Sequence, residues 1–293
     1  MALPAAGILR AVCAAAVIVM CLGTASGAFA RDRIVSVGGD VTEIIFALGY
    51  GDRIVATDST SVYPRQALTT PKVGYVRNLA AEGVLSLEPD LIVISGAAGP
   101  RTALEQLRAS GVPLLEIPEA YSIEAIVDKT ARVARALDEP ASGDVLIARI
   151  EADWADAQSR IAQLSGTPRA LFFAAPPDGM ARAGGTHTAA DAVIRLIGAS
   201  NVFDTHQGYK ALSFEAAVAA DPDLILVMAH HAERVGSVDD VVAHPALALT
   251  RAAKARRVVL VDPVTVMQFG PRTPAALAVL AQAIREATVA HRQ

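Results

Sequence analysis

Beyond residue 30 this chain has no cysteine. Its two, Cys13 and Cys21, both lie in the first thirty residues. The rest of the chain can therefore use no disulfide, no thiolate metal ligand and no cysteine nucleophile. Histidine is nearly as restricted, because all six (His187, His206, His230, His231, His244 and His291) stand at or beyond residue 187. A zinc or manganese carrier built from histidines of two lobes would find none in the first half. Aromatic residues make up 4 % of the chain, with Trp154 the one tryptophan. The formal net charge is −4 and basic residues form no run, so the concentrated patch that nucleic acid requires is missing and no such partner is expected. Neither G-x-S-x-G nor H-E-x-x-H occurs, which removes two common hydrolase signatures.

One long apolar run is present, in "MALPAAGILRAVCAAAVIVMCLGTASGAFA". Arg10 is its sole charge, the apolar core runs from Ala11 to about Leu22, and Ala28-Phe29-Ala30 ends it with small residues. That order describes a cleavable secretory signal, and the core is shorter than the ~20 residues that span a bilayer. Cleavage after Ala30 is expected. Cys21 reads as filler, because Met20 before it is bulkier than a lipoprotein signal accepts. The remaining 263 residues suffice for two lobes.

Short apolar runs alternate with amphipathic ones beyond that point. "RIVSV", "RIVAT", "LIVIS" and "LLEI" read as strands in the first half; "ALFFAA", "LILVM" and "VVLVD" follow in the second. Such runs separated by helical segments predict buried parallel strands in an α/β architecture. From Ser122 to Leu164 the chain is rich in helix formers at helical spacing, and Gly166 and Pro168 end it. The expected organisation is a signal peptide over 1–30, an α/β lobe over 31–140, a connecting helix over 141–165 and a second α/β lobe over 166–293. A ligand cleft would lie between the lobes, beyond the carboxyl ends of the strands.

An internal repeat sharpens this. "LAAEGVLSLEPDLI" (residues 79–92) returns as "LSFEAAVAADPDLI" (residues 212–225), matching Leu79 with Leu212, Glu82 with Glu215 and Pro89-Asp90 with Pro222-Asp223. A glycine-tyrosine pair precedes each copy, at Tyr75 and Tyr209. Gly38-Gly39 and Gly184-Gly185 each stand before an apolar-faced helix, with capping-box spacing at Asp40/Glu43 and at Thr188/Asp191. In "FGPRTP", Thr273 has the position of a helix cap before Pro274. Glu82 and Glu215 fall near helix starts, where the dipole favours a carboxylate. On residue chemistry alone, Tyr75 is first a half-exposed loop tyrosine and Arg77 a solvated charge.

"VGYVRNLAAEGVLSLEPDLIVIS", "TAADAVIRLIG", "YKALSFEAAVAADPDLILV" and "FGPRTPAAL" together resemble the periplasmic haem-binding proteins of bacterial haem ABC importers. Those proteins belong to a wider group with a helical backbone that also carries vitamin B12 and ferric siderophores. The resemblance covers nearly the whole chain beyond residue 30. The G-Y-x-R element and F-G-P-R-T-P associate it with the haem branch.

The resemblance implies that Tyr75 is the axial ligand of haem iron. The chemistry agrees, because a phenolate oxygen is a hard anionic ligand for ferric iron. A free phenol ionises near ~10, so the metal must drive deprotonation and a nearby cation helps. Arg77 is a candidate for that cation or for a propionate contact, and Arg272 for a propionate contact. His187, His230 and Tyr209 are candidates for a second ligand or a porphyrin contact. Members of the family commonly carry arginine near the position of His230, so this chain departs from the pattern there. Met267 reads as apolar pocket wall. The resemblance assigns Glu82 and Glu215 to docking on two permease subunits. It further implies a monomeric, non-enzymatic periplasmic carrier that takes haem from an outer-membrane receptor and passes it to an inner-membrane ABC permease with its ATPase. Alternatives are a ferric siderophore or corrinoid carrier of the same fold, and an exported enzyme acting on haem.

Overall fold

The protein is described by a computed structural model over residues 32–174, 180–228 and 237–289. The expected signal peptide and His230 lie outside those residues. In chain order the first half comprises β1 (Ile34–Val37), α1 (Gly39–Ala47), β2 (Ile54–Thr57), the hairpin β3 (Gly74–Tyr75) and β4 (Asn78–Leu79), and α2 (Ala81–Leu85). It continues with β5 (Leu91–Ser95), α3 (Arg101–Ala109) and β6 (Leu114–Ile117). The helices α4 (Ile123–Ala136) and α5 (Pro140–Ile161) follow. The second half contains β7 (Arg169–Ala174), β8 (Arg182–Gly184), α6 (Ala189–Leu196), β9 (Ser200–Asn201), β10 (Tyr209–Ala211) and α7 (Phe214–Ala220). It ends with β11 (Leu224–Met228), α8 (Val238–Ala243), α9 (Arg251–Lys254), β12 (Val258–Val261) and α10 (Thr273–Val289).

Each lobe is a sheet covered on both faces, which is why its strands read as unbroken apolar runs. The first sheet is parallel throughout, in the order β2-β1-β5-β6. Ile34, Leu91 and Val93 face Ile44 and Ile45 of α1 and Val133 of α4. The alternate residues Val35, Val37, Ile92 and Ile94 face Val84 and Leu107 on the other side. This is the two-residue period of a strand. The second sheet runs β10-β8-β7-β11-β12, parallel through β7, β11 and β12, with β8 and β10 antiparallel at one edge. Phe172 and Leu226 pack on Ile126, Ile150 and Leu280. Leu171, Phe173, Ile225 and Val227 pack on Val241 and Leu247.

The connection between the lobes is more than one helix. The helix α5 is about 33 Å long at 1.5 Å per residue and begins with Pro140 in its first turn, where the missing amide costs nothing. It packs against both α4 and α10. The helix α4 also bridges: Ile123 and Ile126 lie in the second-lobe core, while Val133 and Ala134 lie in the first-lobe core.

The repeat has a mechanical meaning. Asp90 accepts the backbone N–H of Arg33 at 3.1 Å, and Asp223 accepts that of Arg169 at 3.1 Å. The guanidinium of Arg33 then donates to Leu87 O at 2.6 Å, and that of Arg169 to Ala220 O at 2.7 Å. In each lobe the Pro-Asp element thus ties the start of the first strand to the end of the short helix before the next strand, and the arginine satisfies its orphan carbonyls.

Local capping follows the sequence in part. Thr188 caps α6, its hydroxyl accepting from Asp191 N at 3.1 Å. At Asp40/Glu43 the expected capping box does not form. The helix α1 starts at Gly39, one residue before Asp40, so both carboxylates turn inward and are buried. Thr273 is itself the first residue of α10, and its hydroxyl donates to Thr265 O at 2.8 Å instead of capping.

Candidate functional site

A cavity of about 800 Å³ opens between the lobes, toward the upper end of the ~300–1,000 Å³ typical of small-molecule sites. The first lobe contributes Tyr75, Arg77 and Ser95; the second contributes His187, Tyr209, Met228 and Met267. Gly39, Asp40, Tyr121 and Lys129 also line it.

Tyr75 is placed by a hairpin that the core pins. Its strand pairs Tyr75 with Asn78, while Val76 and Leu79 are buried in the first-lobe core. Ser59 N donates to Gly74 O at 2.8 Å, and Gly99 N donates to Val76 O at 2.9 Å, tying both sides of the turn to neighbouring loops. Gly74 adopts φ 107°, a region that a side chain would strain. The outcome is a phenol ring with 50 % of its surface exposed, held on a fixed backbone at the cavity. Arg77 lines the same cavity. Its field works against the upward shifts of both Tyr121 and Tyr209, so its charge reaches both phenols.

Tyr209 differs from Tyr75 in setting. It lies on β10, paired with Gly184 of β8, and 38 % of its surface is exposed. Its phenol end is packed at the start of α6, near the backbone N–H of Ala190. Burial pushes its pKa up to about 12, against smaller opposing contributions from Arg77 and that amide. Tyr121 is also shifted up, first by burial and then by its hydrogen bond to the Glu119 carboxylate. Its ring packs against Phe269 at 5.3 Å.

His187 lines the cavity from the loop before α6 in a left-handed conformation, φ 59°, which is uncommon for a residue other than glycine. Met267 lines the cavity as its position before "QFGPRTP" led us to expect. Glu82 and Glu215 stand away from it, exposed in the first turns of α2 and α7. The carboxyl of Glu215 is held below the usual range by its own backbone N–H and the Ser213 hydroxyl.

Arg272, a candidate propionate contact, lines a different cavity from Tyr75 and Arg77. Its guanidinium donates to Glu43 Oε2 at 2.9 Å and its backbone N–H to Glu43 Oε1 at 3.1 Å. The guanidinium also stacks over Tyr63 at 3.3 Å. Burial raises the pKa of Glu43, with Arg272 opposing the shift. These groups line a separate cavity of about 360 Å³ beside Ile150 of α5. Arg272 fastens the second lobe to α1 and to Tyr63 of the first lobe. Gln268 of the same segment donates to Thr60 O at 3.1 Å, and its side-chain amide packs against Gly39, where a Cβ would have to displace it.

Sequence reading missed Asp40, Lys129 and Tyr121 as cavity residues. Lys129 had a signal: it stands between Ile126 and Val133, on the face of α4 where helical spacing calls for an apolar residue.

Residues 34–265 match the family described as periplasmic binding protein. The chain belongs to that family. Among solved structures, the periplasmic haem-binding protein BhuT in complex with two haems shares 38 % identity and a TM-score of 0.83, covering 87 % of this chain and 98 % of that one. The periplasmic haem-binding protein RhuT from Roseiflexus sp. RS-1, in apo form, shares 40 % identity and a TM-score of 0.82, covering 88 % and 99 %. These likenesses give the periplasmic binding protein its type, that of the haem-binding proteins of ABC transporters. Among curated relatives, the ABC transporter substrate-binding lipoprotein YvrC of Bacillus subtilis is 28 % identical over 66 % of this chain. That match spans 62 % of the length of YvrC. A vitamin B12-binding protein of Yersinia pestis is 28 % identical, over 73 % of this chain and 75 % of that one.

Proposed function

We propose that this protein carries ferric haem in the cleft between its lobes, with the iron held by an axial phenolate from Tyr75. The observation that carries the reading is a half-exposed phenol on a pinned hairpin at the cavity, with the Arg77 cation two residues on. Among the described residues Arg77 has no ion pair of its own, so its charge is available to a phenolate or to a haem propionate. Ferric iron supplies the remaining drive to deprotonate the phenol. His187 and Tyr209, on the opposite lobe, serve as second ligand or porphyrin contact, and His230 is proposed with them on sequence alone. Glu82 and Glu215, one at the same place in each lobe, dock the loaded carrier on an inner-membrane ABC permease driven by its ATPase. Export by the segment over 1–30 places a monomeric carrier in the periplasm, with an outer-membrane haem receptor as its upstream donor.

The vitamin B12-binding relatives favour a second reading, a corrinoid carrier on the same fold. Titration of the protein with hemin and with cyanocobalamin separates the two. Saturable binding of hemin that cobalamin does not displace is the expected result. Cobalamin binding with no saturable hemin binding would replace the haem reading by the corrinoid one.

A further inference from the structure

The haem reading leaves a buried ion pair of the cavity, Lys129 with Asp40, without a role. Lys129 is 4 % exposed, yet it lines the cavity. It stands on α4 at the crossover from one lobe core to the other, between Ile126 and Val133. Its ammonium donates to Asp40 Oδ2 at 2.5 Å. Among the described residues that is its one hydrogen-bond partner. An ammonium has three N–H donors, so two remain on a charge that the fold has taken out of water. Desolvating such a pair costs several kcal/mol per ion, and an apolar side chain on this face of α4 would pack without that cost.

What surrounds the ammonium explains its retention. Ser95 and the start of α1, Gly38 and Gly39, line the same cavity. The hydroxyl of Ser95 donates to Asp40 Oδ2 at 3.4 Å. The first turn of α1 presents orphan N–H groups and the positive end of a helix dipole, which offsets the charge of Asp40. The Asp40 carboxylate on this wall is thus met by Lys129, Ser95 and the helix start, and the donors left facing the cavity are the two remaining N–H groups of the ammonium, suited to an anionic oxygen.

We propose that Lys129, fixed in place by Asp40, determines specificity by hydrogen-bonding a carboxylate on the edge of the ligand that enters the cleft most deeply. This rests on the haem reading, in which a propionate supplies the carboxylate. Arg77 then serves the exposed side of the ligand and Lys129 the buried side.

The test compares hemin with hemin dimethyl ester, whose propionates are neutral. Lys129→Met alone would leave Asp40 buried without its partner, so the variant used is Asp40→Asn/Lys129→Met, its fold checked by circular dichroism. Wild type is expected to prefer hemin to the diester by about tenfold or more, a difference of about 1.4 kcal/mol. The double variant is expected to bind the two within about twofold of each other. A wild type that binds both equally, or a preference that survives in the double variant, would overturn the proposal. A second measurement needs no variant, because a buried contact is screened little by salt. The preference of the wild type should persist at high ionic strength, and its loss there would assign it to the exposed Arg77 instead. Failure of the haem reading looks different, since the wild type would then bind neither porphyrin.

Discussion

Replacing Lys129 by methionine removes one side of an ion pair whose side chains are 5 % and 7 % exposed. Asp40 then keeps the Ser95 hydroxyl, at 3.4 Å, and the positive end of α1, neither of which replaces a full positive charge. Breaking a buried pair from one side costs about 3–5 kcal/mol, because the remaining charge is left uncompensated. The cavity lets water approach Asp40, which favours the lower end of that range. At roughly 2–4 °C per kcal/mol for a domain of 150–250 residues, the unfolding midpoint should fall by about 6–20 °C. Adding Asp40→Asn removes the orphaned charge and should restore most of the loss, giving a coupling of about 2 kcal/mol or more in the double-mutant cycle. The assay is reversible urea unfolding of the chain from Arg31 onward, followed by far-ultraviolet circular dichroism. A single-variant cost below about 1 kcal/mol would mean the pair is solvated like a surface bridge. A double variant as unstable as the single would show that an orphaned charge is not the source of the loss. Either result refutes the reasoning.

Arg272→Ala should cost about 3 kcal/mol of stability, because Glu43 would stay buried without its cation, while hemin affinity stays within about twofold; a large loss of affinity with stability intact would return Arg272 to the ligand site. Burial already raises the Glu43 pKa above 4.5, so the charged form is the destabilising one. The deficit of that variant should therefore be largest above the raised pKa and shrink as pH falls toward 4.5, which unfolding curves across that window would check. Tyr209, with its pKa near 12 against an ordinary 10.0, should remain protonated at pH 10, and its share of stability should be lost as pH rises from 10 to 12. An ultraviolet phenolate titration in which Tyr209→Phe removes a transition at or below pH 10 would contradict this. Glu82→Ala/Glu215→Ala should leave hemin affinity unchanged and abolish stimulation of the permease ATPase in reconstituted vesicles; full stimulation would remove both glutamates from docking.

The long strands were legible because both faces of each sheet are covered, so runs such as "LIVIS" and "LILVM" are apolar without alternation. The short strands β8, β9 and β10 were not, since three residues or fewer carry no pattern. The Pro-Asp repeat was visible as a repeat, but its partners Arg33 and Arg169 lie more than fifty residues earlier in the chain, so only folding shows why the aspartates recur. The inequality of the two tyrosines could have been read: Tyr75 stands four residues before its repeat leucine, Leu79, and Tyr209 three before Leu212. In extended chain that one-residue difference turns the side chains to opposite faces, and the two tyrosines do occupy different settings, a hairpin and an edge strand. The direction of Arg272 was not legible, because a cation near a pocket motif does not show which way it points. The partner that claims it, Glu43, read as the polar face of a helix start.

The central claim is an iron–phenolate bond from Tyr75, and the visible spectrum of the hemin complex tests it most directly. Wild type should show a phenolate-to-iron charge-transfer band on saturation, and Tyr75→Phe should lose both that band and tight binding. An unchanged spectrum and affinity in Tyr75→Phe would contradict the claim and move the ligand to the second lobe, beginning with His187.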